Sequence, residues 1–215
     1  MDLQPLSADL QRRFDEKTVA REAALPAARR AIRSSANAIR AIHRQDFEEA
    51  GRLLEDAAAA LAEGERAVDQ HPDVRYAGFL HDAQKEYAEA RLTEAVISGK
   101  DLPAPDELGV TPAAYLNGMA ETIGEARRAV LDQLRHGEVE RGEELLRAME
   151  EMYHVLVSMD YPDAIIGNLR RSTDVGRSIL ERTRGDLTLS IVQRSLREAL
   201  ERHAHDLRDR PAQPS

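Results

Sequence analysis

Residues 110–128 read VTPAAYLNGMAETIGEARR, and this stretch decides the fold. Thr111 suits a helix cap, and Pro112 suits the first helical turn, where a missing N–H costs nothing. Apolar residues then recur at helical spacing as far as His136, and Gly137 follows as a residue that can turn the chain left-handed. The stretch therefore begins one long amphipathic helix.

The same helical periodicity extends outward over nearly the whole chain, and we find no convincing alternation typical of a strand. We therefore predict an all-α fold of about seven helices in a single domain, 1–206, followed by a disordered polar tail, 207–215. Pro26 predicts a kink or a break in the first helix. Start and stop signals place the helices at about 7–43, 46–69, 71–98, 111–136, 138–158, 163–184 and 187–205.

The composition limits the number of domains, the kinds of functional site and the residues available for the core. The chain has 215 residues, a length that fits one domain with its own core. It contains no cysteine, which excludes disulfides, thiolate metal sites and a thiol nucleophile. Aromatic residues make up only 4% of the chain, so the core must consist of Ala, Leu, Ile and Val on closely packed helices.

Charge and hydropathy limit the partners. The formal net charge is −9, which on average repels nucleic acids and anionic membranes, so nucleic-acid binding would need a local basic patch. No apolar run is long enough to cross a membrane, and the first residues lack the apolar core of a signal peptide. We expect a soluble, cytoplasmic protein without membrane contact.

One local basic patch is present on the first helix. At 100° per residue, four arginines share one face over about four turns, with His43 at the edge of that face. No acidic residue interrupts residues 29–44, although most faces of this chain mix both signs. The pattern fits a solvated helix face or a track for phosphate groups. We call Arg29, Arg33, Arg40 and Arg44 the arginine stripe.

Two pairs of glutamates have spacings that allow a metal site. Glu86 and Glu89 share a face of the third helix, and Glu121 and Glu125 share a face of the fourth. Such pairs on neighbouring helices can converge on a divalent ion, and all-oxygen ligands favour Mg²⁺, Ca²⁺ or Mn²⁺. In a chain with 39 acidic residues, the same spacing also fits solvated faces.

Four stretches together resemble the translin/Trax family. Residues 110–128 are similar to that family's VTPxxYLxGxADLxGEL segment, and this is the most specific match. Residues 84–90, QKEYAEA, resemble the Trax segment QEYxEA with Lys85 as one extra residue. Ala41-Ile42-His43-Arg44 resembles the family's ending of the first helix, and residues 169–185 resemble its last block, which closes on Arg-Gly.

The resemblance implies an all-α, translin-like superhelical bundle that assembles into a closed homo-octameric shell around nucleic acid. It implies a Mg²⁺- or Mn²⁺-dependent endoribonuclease acting on single-stranded RNA. The Trax catalytic and metal-binding positions fall on Glu86, Glu89 and Glu121. Glu125 matches the Glu of the family's Gly-Glu pair, as a fourth ligand or a water-orienting group. The arginine stripe and His43 would then bind the RNA backbone.

One departure keeps an alternative open. The Trax residue at position 121 is usually Asp, and Glu121 is longer by one methylene group. A translin-like oligomer that binds single-stranded RNA or DNA without cleaving it is therefore the second hypothesis. A scaffold oligomer with merely solvated carboxylates is the third.

Overall fold

The computed structural model describes residues 2–208, which contain helices and no strand. The all-α prediction is confirmed, although the described part has nine helices where we expected about seven. They are α1 (Gln4–His43), α2 (Phe47–Ala67), α3 (Pro72–Arg75), α4 (Phe79–Ser98), α5 (Pro105–Leu108), α6 (Pro112–His136), α7 (Val139–Ser158), α8 (Asp163–Ile166) and α9 (Leu169–Arg208).

Two apolar cores meet at α4 and α6. The first core lies among α1, α2 and the beginning of α4, and it consists largely of alanines with Leu54, Leu61 and Leu80. The second lies among the end of α4, α6, α7 and α9, and it contains Ile123, Met149 and other large side chains. Because α4 packs against both α1 and α6, the α4–α6 contact lies between the two halves.

Local signals set most helix ends. The Asp46 carboxylate accepts a hydrogen bond from the Glu49 N–H and begins α2, and the Thr111 hydroxyl does the same for Ala114 at the start of α6. Gly99 and Gly137 end α4 and α6 in the left-handed conformation, which costs glycine no steric strain.

Pro26 lies inside the continuous α1, so the break that was one of the two predicted outcomes is absent. Three predicted boundaries are wrong. The predicted helix 163–184 is divided at Gly167, which follows the end of α8. The predicted third helix is divided at Gly78, whose φ of 99° cannot continue a helix. Gly185 lies inside the unbroken α9, where the buried Thr183 and Leu187 on either side hold the helix against the body.

Both 40-residue helices extend beyond the packed body. No residue of α1 before Ala20 is buried, and all of residues 195–206 of α9 are exposed. Positions 207 and 208 of the predicted tail are helical, and residues 209–215 lie outside the described residues. None of the described helices is both apolar enough and long enough to cross a bilayer.

Candidate functional site

The site is built on an unusually close contact between α4 and α6. A Cβ atom at Gly118 would lie 2.8 Å from the Lys85 carbonyl oxygen and 2.9 Å from the Glu89 backbone nitrogen. Only glycine allows the two backbones to approach so closely. Gln84 fixes the same pair of helices, since its side-chain oxygen accepts hydrogen bonds from the Thr111 N–H and hydroxyl at the start of α6.

This contact brings three of the four predicted glutamates together. Glu86 and Glu89 from α4 and Glu121 from α6 each place one carboxylate oxygen within 4.8 Å of the others. We call these three residues the carboxylate cluster. Glu89 is 8% exposed and forms its floor. The side chains of Glu86 and Glu121 are 27% and 40% exposed, so the cluster opens to solvent on one side.

The electrostatics of the cluster are dominated by Glu89. Burial, together with the negative charges of Glu121, Glu86 and Glu125, raises the pKa of Glu89 to about 8, against the opposing effect of Lys85. At neutral pH in the absence of a cation, Glu89 therefore holds a proton. A cation bound among these carboxylates would have to displace it.

Lys85 is the residue of the candidate site that sequence reasoning missed. Its ammonium lies 2.7 Å from a Glu121 oxygen and 3.2 Å from a Glu86 oxygen. Burial opposes the charged form, but the hydrogen bond and attraction to Glu121 and the attraction to Glu86 outweigh it, and the pKa of Lys85 is raised. The sequence could have indicated Lys85 through its spacing, because Lys85 and Glu89 are four residues apart and therefore share a face of the helix.

Glu125 lies outside the carboxylate cluster and is held by His43. The His43 Nε2 and a Glu125 carboxylate oxygen are 2.5 Å apart, and Arg128 lies 3.9 Å from the same oxygen. The hydrogen bond from His43, aided by the charges of His43 and Arg128, lowers the pKa of Glu125 despite its partial burial. This contact also joins the end of α1 to α6.

The arginine stripe is exposed along α1, as the helical wheel predicts. Arg40 donates a hydrogen bond to Asn37, and within residues 2–208 the other three stripe arginines have no side-chain hydrogen bond or ion pair. By contrast, the neighbouring Arg30 contacts Glu63 on α2 at 2.5 Å. His43 does not share the exposed face, because its side chain is 5% exposed and is directed to Glu125.

The donor set fits a hard divalent cation. All three members of the cluster offer carboxylate oxygens, one of them buried, and such ligands favour Mg²⁺ or Mn²⁺ over softer metals. The residues that would hold such an ion are Glu86, Glu89 and Glu121, with Glu125 one turn further along α6.

No family model matches the chain. It is similar to AfC3PO in two solved structures, one of them a complex with duplex RNA, at 33% and 34% sequence identity. In both, the match covers 87% of this chain and 97% of the other, with a TM-score of 0.79. The chain also resembles apo-NeC3PO at 19% identity, a TM-score of 0.78 and coverage of 88% and 100%, a likeness that concerns the fold alone.

A curated relative extends the likeness in sequence. An uncharacterized protein of Methanocaldococcus jannaschii is 30% identical over 187 residues, which is 86% of this chain and 83% of the relative. AfC3PO and NeC3PO are structures of the translin/Trax family, and the matches cover nearly all of their lengths. The chain therefore belongs to the translin/Trax family and is a Trax-like member of the prokaryotic kind.

Proposed function

We propose that this protein is a Trax-type, metal-dependent endoribonuclease that acts on single-stranded RNA. The observation that carries the proposal is the carboxylate cluster, in which three glutamates from two helices converge around a buried member. The family membership supports it, because the cluster contains the positions that the resemblance to Trax marks as catalytic.

In this proposal the cluster holds one or two Mg²⁺ or Mn²⁺ ions. Such an ion, when bound, stabilises charge at the scissile phosphate and lowers the pKa of a bound water. Glu86, Glu89 and Glu121 would hold the ion, for which Glu89 would have to give up its proton. Glu125, whose pKa is lowered by the hydrogen bond from His43, would orient the attacking water or serve as a further ligand.

The arginine stripe is the proposed RNA-binding surface. All four stripe arginines are exposed and have no ion-pair partner among the described residues, so they leave positive charge available for phosphates in a chain of net charge −9. The stripe runs along α1 towards His43, which contacts Glu125 beside the cluster. Because arginine contacts to phosphate carry no base information and aromatic residues are few, we expect weak sequence preference. AfC3PO has been solved with duplex RNA, so a duplex belongs among the substrates tested.

The decisive experiment is cleavage of labelled single-stranded and duplex RNA by the purified protein with Mg²⁺, Mn²⁺ or EDTA. Glu89→Ala removes a proposed metal ligand and should abolish metal-dependent cleavage, while RNA binding in EDTA stays unchanged. Glu143→Ala, which removes an exposed glutamate on α7, is the matched control and should cleave normally. Undiminished cleavage by Glu89→Ala protein would refute the assignment.

A second function is favoured by one observation. The Lys85 ammonium contacts two of the three cluster carboxylates and offsets one of their charges without a metal ion, which favours a protein that binds single-stranded RNA or DNA without cleaving it. The Glu at position 121 in place of the usual Asp points the same way. RNA retention without cleavage in any metal would select this translin-like function.

We also propose a closed homo-octameric shell with the arginine stripe on its inner surface and acidic residues outside. This arrangement would reconcile the net charge of −9 with RNA binding. Light scattering after size-exclusion chromatography measures the subunit number, and a monomer at micromolar concentration would contradict the shell.

A further inference from the structure

The ammonium of Lys85 lies against two of the three carboxylates that a bound cation would need. It contacts Glu121 at 2.7 Å and Glu86 at 3.2 Å, and these are two of the three carboxylates in the cluster. A Mg²⁺ ion needs carboxylate oxygens at about 2.0–2.1 Å. It would therefore stand within a few ångströms of the ammonium, where two positive charges repel strongly. The ammonium and a divalent ion therefore compete for the carboxylates of Glu86 and Glu121.

We propose that Lys85 is a tethered counter-ion, which neutralises the carboxylate cluster in the metal-free protein and swings out to a phosphate of the RNA when the cluster takes a divalent cation. The inference rests on the proposed function, because it concerns the same site. Lys85 is a positioning residue in this proposal: its ammonium pairs with carboxylates when no metal is bound and with an RNA phosphate when a metal is bound.

The choice of residue supports this exchange. Only three basic residues of the chain are lysines, and the one beside the cluster is among them. Arginine would form a rigid, bidentate pair with a carboxylate, whereas lysine has a flexible stem and a compact charge that can change partners. Lys85 is 21% exposed, so the route outward is open.

The opening of the cluster gives the displaced ammonium a destination. Glu89 forms the closed floor, and the more exposed Glu86 and Glu121 form the rim that Lys85 contacts. A phosphate approaching the metal must come from that rim. The ammonium released there would meet the negative charge of the substrate.

The first test measures Mn²⁺ affinity by calorimetry on the metal-free, full-length protein. Lys85→Gln should bind Mn²⁺ roughly tenfold more tightly than wild type, because two ion pairs no longer compete. Lys85→Arg, which keeps the charge, should bind no more tightly than wild type. Lys100→Gln is the control, since it removes an exposed lysine elsewhere. Equal or weaker binding by Lys85→Gln, or no binding by either protein, would overturn the proposal.

A second test needs no variant and so does not depend on the folding of Lys85→Gln. Brief labelling of wild-type protein with an amine-reactive acetylating reagent, followed by mass spectrometry, reports on Lys17, Lys85 and Lys100 separately. Saturating Mn²⁺ should increase labelling of Lys85 severalfold and leave the other two unchanged. Unchanged or slower labelling of Lys85 in Mn²⁺ would overturn the exchange.

The phosphate contact is tested by the salt dependence of binding to single-stranded RNA in Ca²⁺. Loss of one phosphate contact should reduce the slope of log K against log salt by about 0.7 in Lys85→Gln, with equal slopes in EDTA. Equal slopes in Ca²⁺ would overturn the phosphate contact. These binding readouts remain valid if no metal supports cleavage, so failure of the proposed nuclease and failure of the exchange are distinguishable.

Discussion

Two helix contacts in this protein differ in the side chains that they bury: the α1–α2 contact is apolar, and the α4–α6 contact contains polar groups. Where α1 packs against α2, the core is built from alanines with Leu54 and Leu61, and no charged side chain is buried. Where α4 packs against α6, polar side chains are buried instead, and five of the seven buried polar side chains of the described part lie on these two helices. They are Gln84, Glu89, Thr93, Asn117 and Thr122.

The difference suggests separate roles for the two contacts, since one stabilises the fold and the other holds the candidate site. A close-packed apolar contact stabilises the fold and tolerates no voids. A contact that buries a carboxylate lowers the stability of the metal-free protein, because the charged form loses its hydration. The α1–α2 contact therefore stabilises the fold. Part of this stabilisation is offset by the cost of burying a carboxylate at the α4–α6 contact, which holds the carboxylate cluster.

The largest effect is expected in the apolar contact. Leu54 is fully buried between α1 and α2, so Leu54→Ala should lower the free energy of unfolding by about 2–5 kcal/mol. Urea denaturation measures the loss. RNA cleavage per folded molecule should stay at the wild-type value, and a selective loss of cleavage would break the comparison.

A smaller loss is expected in the polar contact. Gly118→Ala would drive a methyl group into the α4 backbone and should cost about 1–3 kcal/mol. It should also separate the cluster carboxylates and weaken Mn²⁺ binding. Gly124→Ala in the same helix meets only one atom at 4.0 Å and should be neutral or stabilising by up to about 1 kcal/mol. Equal urea midpoints for the two variants would contradict the close contact.

The buried carboxylate of Glu89 should make the stability of the metal-free protein depend on pH. Because the pKa of Glu89 is raised from 4.5 to about 8, the folded protein binds more protons than the unfolded chain between these values. The stability of the metal-free protein should therefore fall as pH rises through this window. Glu89→Gln lacks the titration and should melt a few degrees higher than wild type at pH 8, with no difference at pH 4. Parallel melting curves in EDTA at both pH values would exclude the raised pKa.

The smallest effect on stability belongs to the arginine stripe. Arg33→Glu with Arg40→Glu changes an exposed face and should alter the free energy of unfolding by less than about 0.5 kcal/mol. RNA affinity should nevertheless fall at least tenfold, since several phosphate contacts are lost or reversed. Arg147→Glu with Arg182→Glu makes the same charge change on α7 and α9 and is the control. Loss of assembly in the first variant would instead place the stripe at a subunit contact.

Local signals predicted helix ends wherever they acted alone. Asp46, Thr111, Gly99 and Gly137 mark real boundaries because a cap or a left-handed residue is decided within a few residues. Gly185 misled the prediction because packing over a whole helix outweighs one glycine. The Arg127–Asp186 and Arg184–Glu150 ion pairs on either side of Gly185 add to that packing.

The sequence predicted which glutamates form the candidate site, but it did not predict how the side chains around them are arranged. Helical spacing and the resemblance to Trax both selected Glu86, Glu89 and Glu121, and the structure brings them together. The inward direction of His43 depends on where α1 ends against α6, which no spacing reveals. The place of Lys85 depends on the height at which α6 crosses α4. Their roles at this site stay predictions until the variants are measured.

The uneven burial of α1 has a consequence for motion. The segment before Ala20 contains no buried residue, so we expect its amides to exchange with solvent deuterium through local fraying. The segment from Ala20 to His43 is held by its buried alanines and by the contact with Glu125, and we expect its amides to exchange only when the fold opens more widely. One continuous helix is therefore expected to contain two dynamic units, and Arg29, Arg33 and Arg40 of the arginine stripe lie on the slower one.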